Sequence, residues 1–306
     1  MRTQTINPGL SLEQNIQRIK DAIEYPEYQY YHIAKDIIKF GKLIKNRTGI
    51  DAYTIPHASM SFNLEFGFPL FTHKKMAWRV LKVELEGFIK SIRSKKWYQE
   101  RGCHIWDEWC NPKKVPYAND EVTKKRMKEE DDLGPIYGCQ WRNFNNQGID
   151  QLSLIIELIK KDPGNRRLVC SSWNPVEIFD GGEMALPPCH FNFVLSNIND
   201  TLHLSYEMRS VDWGLGVPFN TASYALLLHL ICLETNKKPG CVTGFFNNVH
   251  IYVNHLNAFE EIFKRIPYKL PNIKTENFNG IFNWDHMNTV VTNYQSHSPI
   301  QMDIAV

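Results

Sequence analysis

The feature that most constrains the fold of this chain is the stretch FNFVLSNINDTLHLSYEM, residues 191–208. Apolar and polar side chains alternate along it on both sides of the dipeptide Asn199-Asp200. Alternation with a period of two is typical of a strand, and Asn-Asp between two such runs suits the tight turn of a hairpin. The sequence therefore predicts two strands joined at Asn199-Asp200, and any fold for the chain must include them.

Apolar residues at helical spacing predict helices before and after this hairpin. Ser11 and Gln14 form a capping box ahead of the recurring isoleucines, so a first helix should run from about 11 to 24. The chain has no repeat and no linker rich in Gly or Ser, which favours one α+β domain. Further helical runs are YHIAKDIIKFGKLI (ending at KNRTG), MAWRVLKVELEGFIKSI, DQLSLIIELIKKDP (capped by Asp150) and SYALLLHLICLET, and the strand-like runs are RRLVCSSW and GCVTGFFNNVHIYVN.

Composition narrows the class of protein. With 306 residues, of which 43% are hydrophobic, the chain can bury a large core. Its net charge of +2 gives no reason to expect a nucleic acid partner. Seven scattered cysteines without zinc-ligand spacing suit reduced thiols in a cytoplasmic protein. The N-terminus lacks an apolar leader and no stretch approaches the roughly 18 apolar residues of a membrane span, so neither secretion nor membrane insertion is expected.

Residues 111–132, NPKKVPYANDEVTKKRMKEEDD, form the one charge-dense and weakly apolar block of the sequence. Such blocks are usually solvated, because they contain too few apolar side chains to bury. We interpret this block as a solvated insertion. An interaction element is the alternative.

Several clusters place polar or reactive residues among apolar ones. In LPPCH, two prolines stiffen the backbone just before Cys189, which would present the thiol from a pre-set loop; the alternative is an ordinary buried thiol. Glu84 lies inside an apolar helix, where a carboxyl must be hydrogen-bonded or protonated. His250 and Tyr252 lie two residues apart on a strand-like run and so point to the same face. The clusters are NRTG, NRRLVCSSWN, LPPCH, YEMRSVDWGLGVPFNTASYALL and VHIYVNH.

Together with CHIWDEW, LGPIYGCQWR and DPGNRRLV, these clusters resemble those of the thymidylate synthase family, in order, from about residue 46 to residue 306. The resemblance implies a single-domain α+β fold, a mixed β-sheet packed by helices, with two sheets back to back in a homodimer. It implies an N-terminal helical extension at 1–45 and a catalytic domain at 46–306 that contains the 111–132 insertion. The implied reaction is methylation of deoxyuridylate (dUMP) by methylenetetrahydrofolate, giving dTMP and dihydrofolate without metal or flavin.

By this resemblance Cys189 is the nucleophile, activated by the Arg209 guanidinium, and its addition to carbon 6 of uracil makes carbon 5 electron-rich. Asn220 would read the uracil ring, for which an amide offers a matching donor and acceptor; the alternative is a cap for a helix beginning near residue 221. Glu84 would relay a proton through water to the position 4 oxygen. Tyr137 would assist loss of the carbon 5 proton, or be structural, and His190 would line the pocket.

The resemblance also implies the binding residues. Those for dUMP include two arginines, Arg166 and Arg167, that reach across from the partner subunit. The folate would stack on an aromatic wall, and the chain's last residues would close over both ligands and exclude water. The dUMP residues are Arg47, Arg166, Arg167, Arg209, Ser210, Asp212, Asn220, His250 and Tyr252, and the folate residues are Lys74, Ile105, Trp106, Trp109, Leu186, Asp212, Gly216, Phe219, Ala305 and Val306.

Three departures from the family's common pattern bear on the product. Met208 stands where Gln is usual, Asn247-Asn248-Val249 where Gly-Asp and one further residue are usual, and Glu86-Gly87 where Leu-Trp is usual. Altered water structure could favour attack by water, making the protein a dUMP hydroxymethylase. The retained tryptophans and C-terminal tail favour hydride transfer and methylation. A silent nucleotide- or RNA-binding relative is the third hypothesis; the near-zero net charge and the complete catalytic set argue against it.

Overall fold

The hairpin lies within a mixed β-sheet in a computed structural model that describes residues 7–46, 49–179 and 181–303. Asn199 and Asp200 both have positive φ (50° and 61°), as the predicted tight turn requires. The sheet order is β1-β2-β7-β5-β4-β3, with β6 on β7, and β7 runs parallel to β5 and β6. The strands are β1 Lys42–Ile44, β2 Ala52–Asn63, β3 Val169–Ser171, β4 His190–Ile198, β5 Thr201–Met208, β6 Val211–Asp212 and β7 Lys238–Tyr252, with β8 Asn272–Thr275 and β9 Thr289–Thr292 in a separate ribbon.

Helices pack on this sheet and complete the predicted α+β architecture. The capping box predicted at Ser11 and the cap predicted at Asp150 are both present, and their side-chain oxygens accept from the Gln14 and Ser153 N–H groups. The α-helices described are α1 Leu12–Glu24, α2 Tyr28–Phe40, α3 Trp78–Ile89, α4 Lys95–Glu100, α5 Glu121–Glu129, α6 Tyr137–Arg142, α7 Gln151–Lys161, α8 Pro175–Ile178, α9 Gly216–Thr235 and α10 Leu256–Lys264. Short 3₁₀ turns occur at Leu64–Phe66, Val253–His255, Ile281–Asn283 and His286–Asn288.

The second helix ends earlier than the sequence suggested. It stops at Phe40, and residues 42–44 instead pair as strand β1 with β2. A side chain at Gly41 would overlap the Ile37 carbonyl, so the backbone can turn from helix to strand there only without a Cβ. Helical periodicity across KLI was therefore misleading, because pairing with β2 overrides it.

Helix α9 forms the centre of the core. It is the one helix in the described part of the chain that is long and apolar enough to cross a membrane, contrary to the expectation that no stretch approaches this. However, 67% of its most apolar window is buried inside the protein, as in the core helix of a globular domain. Its apolar character is explained by packing against other elements of the fold.

Helix α3 holds Glu84 and is buried along most of its length. Tyr98 fills the space beside Gly87, and a Cβ on Gly87 would overlap the tyrosine ring and its hydroxyl oxygen. Glu86, which stands where Leu is usual, accepts from the His286 ring Nδ1 (2.7 Å) and from Lys90 Nζ (2.5 Å). Glu86 and Gly87, which depart from the family's common pattern, are thus both matched by residues that contact them in this structure.

We expect Gly87→Ala to lower the free energy of unfolding by about 1–3 kcal/mol, because it overpacks a buried site against Tyr98. Urea unfolding would measure the change. Adding Tyr98→Leu should recover part of the loss by making room for the methyl group. Gly164→Ala, which meets only Asp162 Oδ1 at ordinary contact distance, is the matched control. Equal effects of the two alanines would contradict this account.

Candidate active site

Cys189 lies at the end of the LPPCH loop, immediately before strand β4. Arg209, which follows β5, holds this loop through three hydrogen bonds. Its backbone N–H donates to the Cys189 carbonyl (2.9 Å), its Nε to the Pro188 carbonyl (2.9 Å) and its Nη2 to the Pro187 carbonyl (2.8 Å). Cys189 is half-buried, whereas five of the other six cysteines are buried. The thiol is therefore presented from a rigid loop with a guanidinium bound to that same loop.

Tyr137, the first residue of α6, contacts the same loop from the other side. Its hydroxyl oxygen accepts from the Cys189 backbone N–H at 3.0 Å. Burial raises the pKa of Tyr137 well above its ordinary value, and the nearby Cys189 raises it further. The phenol therefore stays protonated, and its own O–H remains a donor for a ligand or water beside the cysteine.

His190 is buried behind Tyr137, with ring centroids 4.2 Å apart. Its Nδ1 shares a hydrogen bond of 2.9 Å with the Tyr224 hydroxyl. Burial lowers the pKa of His190 to about 3, so the ring is neutral at physiological pH. This geometry fits a pocket-lining residue better than a charged acid.

Glu84 is buried among aromatic side chains. Burial raises the pKa of its carboxyl to about 8, which the Trp106 indole N–H partly opposes. That indole nitrogen is itself buried and has no partner of ordinary hydrogen-bond geometry among the described residues. At neutral pH Glu84 is therefore mostly protonated and able to give up a proton.

Asn220 lies in the second turn of α9, since that helix begins at Gly216. The alternative interpretation of Asn220 as the cap of a helix beginning near residue 221 is wrong. Its Nδ2 lies 3.7 Å from the sulfur of buried Met208. A thioether is only a weak acceptor, so most of the hydrogen-bonding capacity of this amide remains for a ligand.

The departures at 208, 247 and 248 form one connected cluster. The Asn247 amide Nδ2 donates to the Met208 carbonyl (3.1 Å) and to Glu207 Oε1 (3.2 Å). Asn248 has positive φ (48°), and its carbonyl accepts from His250 Nδ1 (2.8 Å). Because a carbonyl can only accept, the proton of neutral His250 is on Nδ1 and Nε2 is left as an acceptor.

His250 and Tyr252 share a face of β7, as predicted, with ring centroids 5.0 Å apart. Asp212 on β6 is paired in register with His250. Its Oδ1 accepts from the Gly214 N–H at 2.8 Å and so shapes the turn into α9.

Lys74 and the C-terminal segment meet at this turn. Lys74 Nζ donates to the Gly214 carbonyl (2.9 Å) and lies 4.0 Å from Met302 sulfur. Burial lowers the pKa of Lys74 to about 8, although Asp212 opposes the shift. His255 Nε2 donates to the Asp303 carbonyl (2.8 Å), which anchors the last described residue beside Asp212.

The remaining candidate residues are placed as follows. Arg166 and Arg167 are exposed between α7 and edge strand β3, and make no hydrogen bond to the Cys189 loop among the described contacts. Trp106 is buried, Ile105 is exposed, and Ser210, Gly216, Trp109, Leu186 and Phe219 are half-buried. Arg47, Ala305 and Val306 lie outside the described residues.

Sequence reasoning missed the second partners of these groups. Tyr224 bonds His190, His255 anchors residue 303, and the Arg209 guanidinium lies 5.5 Å from the Trp173 ring. Tyr224, His255 and Trp173 all lie inside the sequence clusters described above. Their position within these clusters was the one sign in the sequence that they belong to the site. Their roles depend on contacts between distant segments.

Among the described residues, Glu86, Asp285 and His286 form one group of potential metal ligands. The Glu86 carboxylate is already bound by the Lys90 ammonium and the His286 ring. A cation would have to displace both partners. The cluster is better explained as a structural contact: Lys90 pairs with the Glu86 carboxylate, and the His286 hydrogen bond ties α3 to the segment after Trp284.

Comparison with known proteins identifies the family. The sequence model of the family described as Thymidylate synthase matches residues 28–306. The chain belongs to the thymidylate synthase family. The predicted family and the single-domain fold with a mixed sheet and packed helices are thereby confirmed, and with them the enzyme class, a methyltransferase, and its cosubstrate methylenetetrahydrofolate. The back-to-back packing of two sheets in a homodimer stays a prediction.

The most similar relatives include thymidylate synthases and longer proteins. The thymidylate synthases of Mycoplasma genitalium and Mycoplasma pneumoniae are 38% and 36% identical, over 91% of this chain and 99% of each relative. The bifunctional dihydrofolate reductase-thymidylate synthases of Paramecium tetraurelia and Zea mays are 34% and 37% identical over 92% of this chain. The chain spans only 62% and 55% of these two.

Proposed function

We propose that this chain is a thymidylate synthase that converts dUMP to dTMP, with methylenetetrahydrofolate as donor of both the carbon and the hydride. The observation that carries the proposal is the half-buried Cys189 on a loop held by Arg209 and Tyr137. Ordinary buried thiols need no such support. A reactive thiolate does, because it must reach one ring carbon in one orientation.

The geometry suggests a division of roles. Cys189 Sγ forms a bond to carbon 6, and the electrons of the ring double bond move to the position 4 oxygen. Asn220 and, through water, the protonated Glu84 stabilise the negative charge there. Carbon 5 then takes the one-carbon unit and loses its proton, with the Tyr137 hydroxyl holding the water that receives it. The bond from that unit to the folate nitrogen breaks, which leaves a methylene group on carbon 5 and releases tetrahydrofolate. Tetrahydrofolate then gives a hydride to this methylene and becomes dihydrofolate, while the electrons shift to restore the ring double bond and expel the thiolate.

Nucleotide binding is assigned to the two ends of the site. An Asn220 amide matches the N–H and carbonyl of uracil, and the His250 Nε2 acceptor suits the sugar 3′-hydroxyl. Arg209, Ser210 and Arg47 are proposed for the phosphate. Asp212, Lys74 and the tryptophans are proposed for the folate.

A homodimer would complete the phosphate site. Arg166 and Arg167 are exposed, so they are free to serve a partner subunit. Exposed apolar side chains lie on the same sheet and beside it, including Phe245, Val169 and Phe179. We propose that this face packs against a second copy, in a cytoplasmic enzyme that needs no nucleic acid. The proposed division of the chain is an extension at 1–45 and a catalytic domain at 46–306.

Incubation with dUMP and methylenetetrahydrofolate tests the function directly. We expect dihydrofolate to accumulate, measured by absorbance, together with a nucleotide in which a methyl group has replaced a hydrogen, a mass gain of one CH2 in mass spectrometry. A hydroxymethylated nucleotide without dihydrofolate would instead indicate attack by water on the same intermediate. Absence of turnover with binding of dUMP would support a silent relative.

A further inference from the structure

Segment 111–132 leaves the main fold and returns to it at the same place. Its ends meet where the Asn111 N–H donates to the Asp132 carbonyl (2.7 Å). Arg93 binds the Asp132 carboxylate through Nε (3.0 Å) and Nη2 (2.9 Å). Although burial alone would raise the pKa of Asp132, hydrogen bonds from Arg93 and Asn111 hold it well below the usual value. The carboxylate therefore stays charged and keeps the two ends together.

The segment is also folded internally, which goes beyond the prediction of a solvated insertion. Helix α5 is capped by the Asp120 side chain, which accepts from the Thr123 N–H. Its Met127 side chain packs with Val115 and Cys110 in a small core of its own. Most other side chains of the segment are exposed.

Lys95 joins this small unit to the tryptophan loop, residues 104–110, which contains Trp106 and Trp109. Its side chain is only 1% exposed, and Nζ donates to the carbonyls of Met127 (2.6 Å), Trp109 (3.0 Å) and Asp107 (3.3 Å). An ammonium group has three hydrogens, so these acceptors satisfy it completely. Lys95 thus binds the end of α5 and the backbone on either side of residue 108.

Two side-chain contacts reinforce the same junction. The Tyr117 ring stacks on the Trp109 ring with centroids 6.4 Å apart and planes 18° from parallel. Lys128 of α5 pairs with Glu108 (3.0 Å). Trp109 itself packs against the main core, close in sequence to Trp106 beside Glu84. The segment therefore contacts the tryptophan loop through backbone, ring and charge.

We propose that segment 111–132 is a brace that preorganises Trp109 for the folate, with Lys95 and Tyr117 as positioning residues. The inference rests on the proposed function, which assigns Trp109 to the folate wall. A ring on a surface turn would otherwise have to be ordered when the folate binds, and this cost would reduce affinity. Because the brace orders the ring already in the folded protein, its loss should weaken binding of the folate and leave binding of the nucleotide unchanged.

Tyr117→Ala tests the brace with little risk to folding, because Tyr117 is 51% exposed. We expect the KM for methylenetetrahydrofolate to rise about threefold to tenfold, the range for loss of one aromatic pair, with the KM for dUMP unchanged. Tyr117→Phe keeps the ring and should restore the wild-type value. Val122→Ala, an exposed apolar residue on α5, is the matched control. A folate KM that is the same in Tyr117→Ala as in the control would overturn the proposal.

Hydrogen exchange of residues 104–110 gives a second readout that does not depend on turnover. Tyr117→Ala and Lys95→Met should both exchange faster there than wild type, while the control should not. Unchanged exchange in Tyr117→Ala would refute the brace even if the protein were inactive. If the wild type consumes no dUMP but the exchange result holds, the proposed function fails and the brace does not.

Discussion

Replacing Cys189 by serine is expected to reduce turnover of dUMP by at least roughly a thousandfold, because a hydroxyl lacks the nucleophilicity of a thiolate. Arg209 binds the Pro187 and Pro188 carbonyls and the Cys189 backbone, none of which the substitution removes. The loop should therefore keep its shape. The loss would then be chemical, and dUMP should still bind.

Covalent trapping of a fluorinated analogue of dUMP distinguishes a chemical loss from misfolding. Wild type should form a covalent adduct detectable by mass, and Cys189→Ser should form none while keeping the same unfolding temperature. Cys241→Ser is the matched control, since Cys241 is the other half-buried cysteine and lies on β7 away from the loop. Persistence of the adduct in Cys189→Ser would remove Cys189 from its role.

The local elements of the fold could be predicted because their signals lie within a few residues. The turn at 199–200, the caps at Ser11 and Asp150 and the buried helix α9 all follow from patterns of that length. The spacing that predicted α1 did not mark its buried face, because Ile16 and Ile23 are exposed there. That helix is placed by the Arg18–Asp36 ion pair with α2, a contact between separate elements.

Long-range contacts account for most of what the sequence could not reveal about the site. Strand β2, which contains Pro56 and several polar residues, was not among the predicted strands. It forms because β7 lies beside it along eleven paired positions. The LPPCH motif suggested Cys189. The hydrogen bonds from Arg209 to the proline carbonyls could not be predicted in this way, because they join segments about twenty residues apart. The brace on Trp109 depends on Lys95 meeting carbonyls of two other segments, and no periodicity indicates such a junction.

Glu84→Gln is expected to lower kcat by roughly 10²- to 10⁴-fold, the usual contribution of a positioned acid or base. The wild-type rate should fall as pH rises above about 8, where the buried carboxyl loses its proton. The variant, which cannot ionise, should lack that decline. Glu100→Gln, with an exposed carboxyl on α4, serves as the control.

Protein stability gives an independent test with a definite sign. The pKa of Glu84 is about 8 in the folded protein and near its ordinary value of 4.5 when unfolded. Between these values the folded protein holds a proton that the unfolded chain has released, so the free energy of unfolding falls as pH rises. The contribution is fully present below pH 4.5 and lost by pH 8, at up to about 1.4 kcal/mol per pH unit.

The difference in free energy of unfolding between Glu84→Gln and wild type isolates this group from all others that titrate. We expect the variant to gain on wild type steadily from about pH 5 to pH 8, and the difference to level off above the folded-state pKa. Glu100→Gln should show no such trend. A difference independent of pH would mean that Glu84 is ionised in the folded protein, and proton donation from it to the position 4 oxygen would then have to be abandoned.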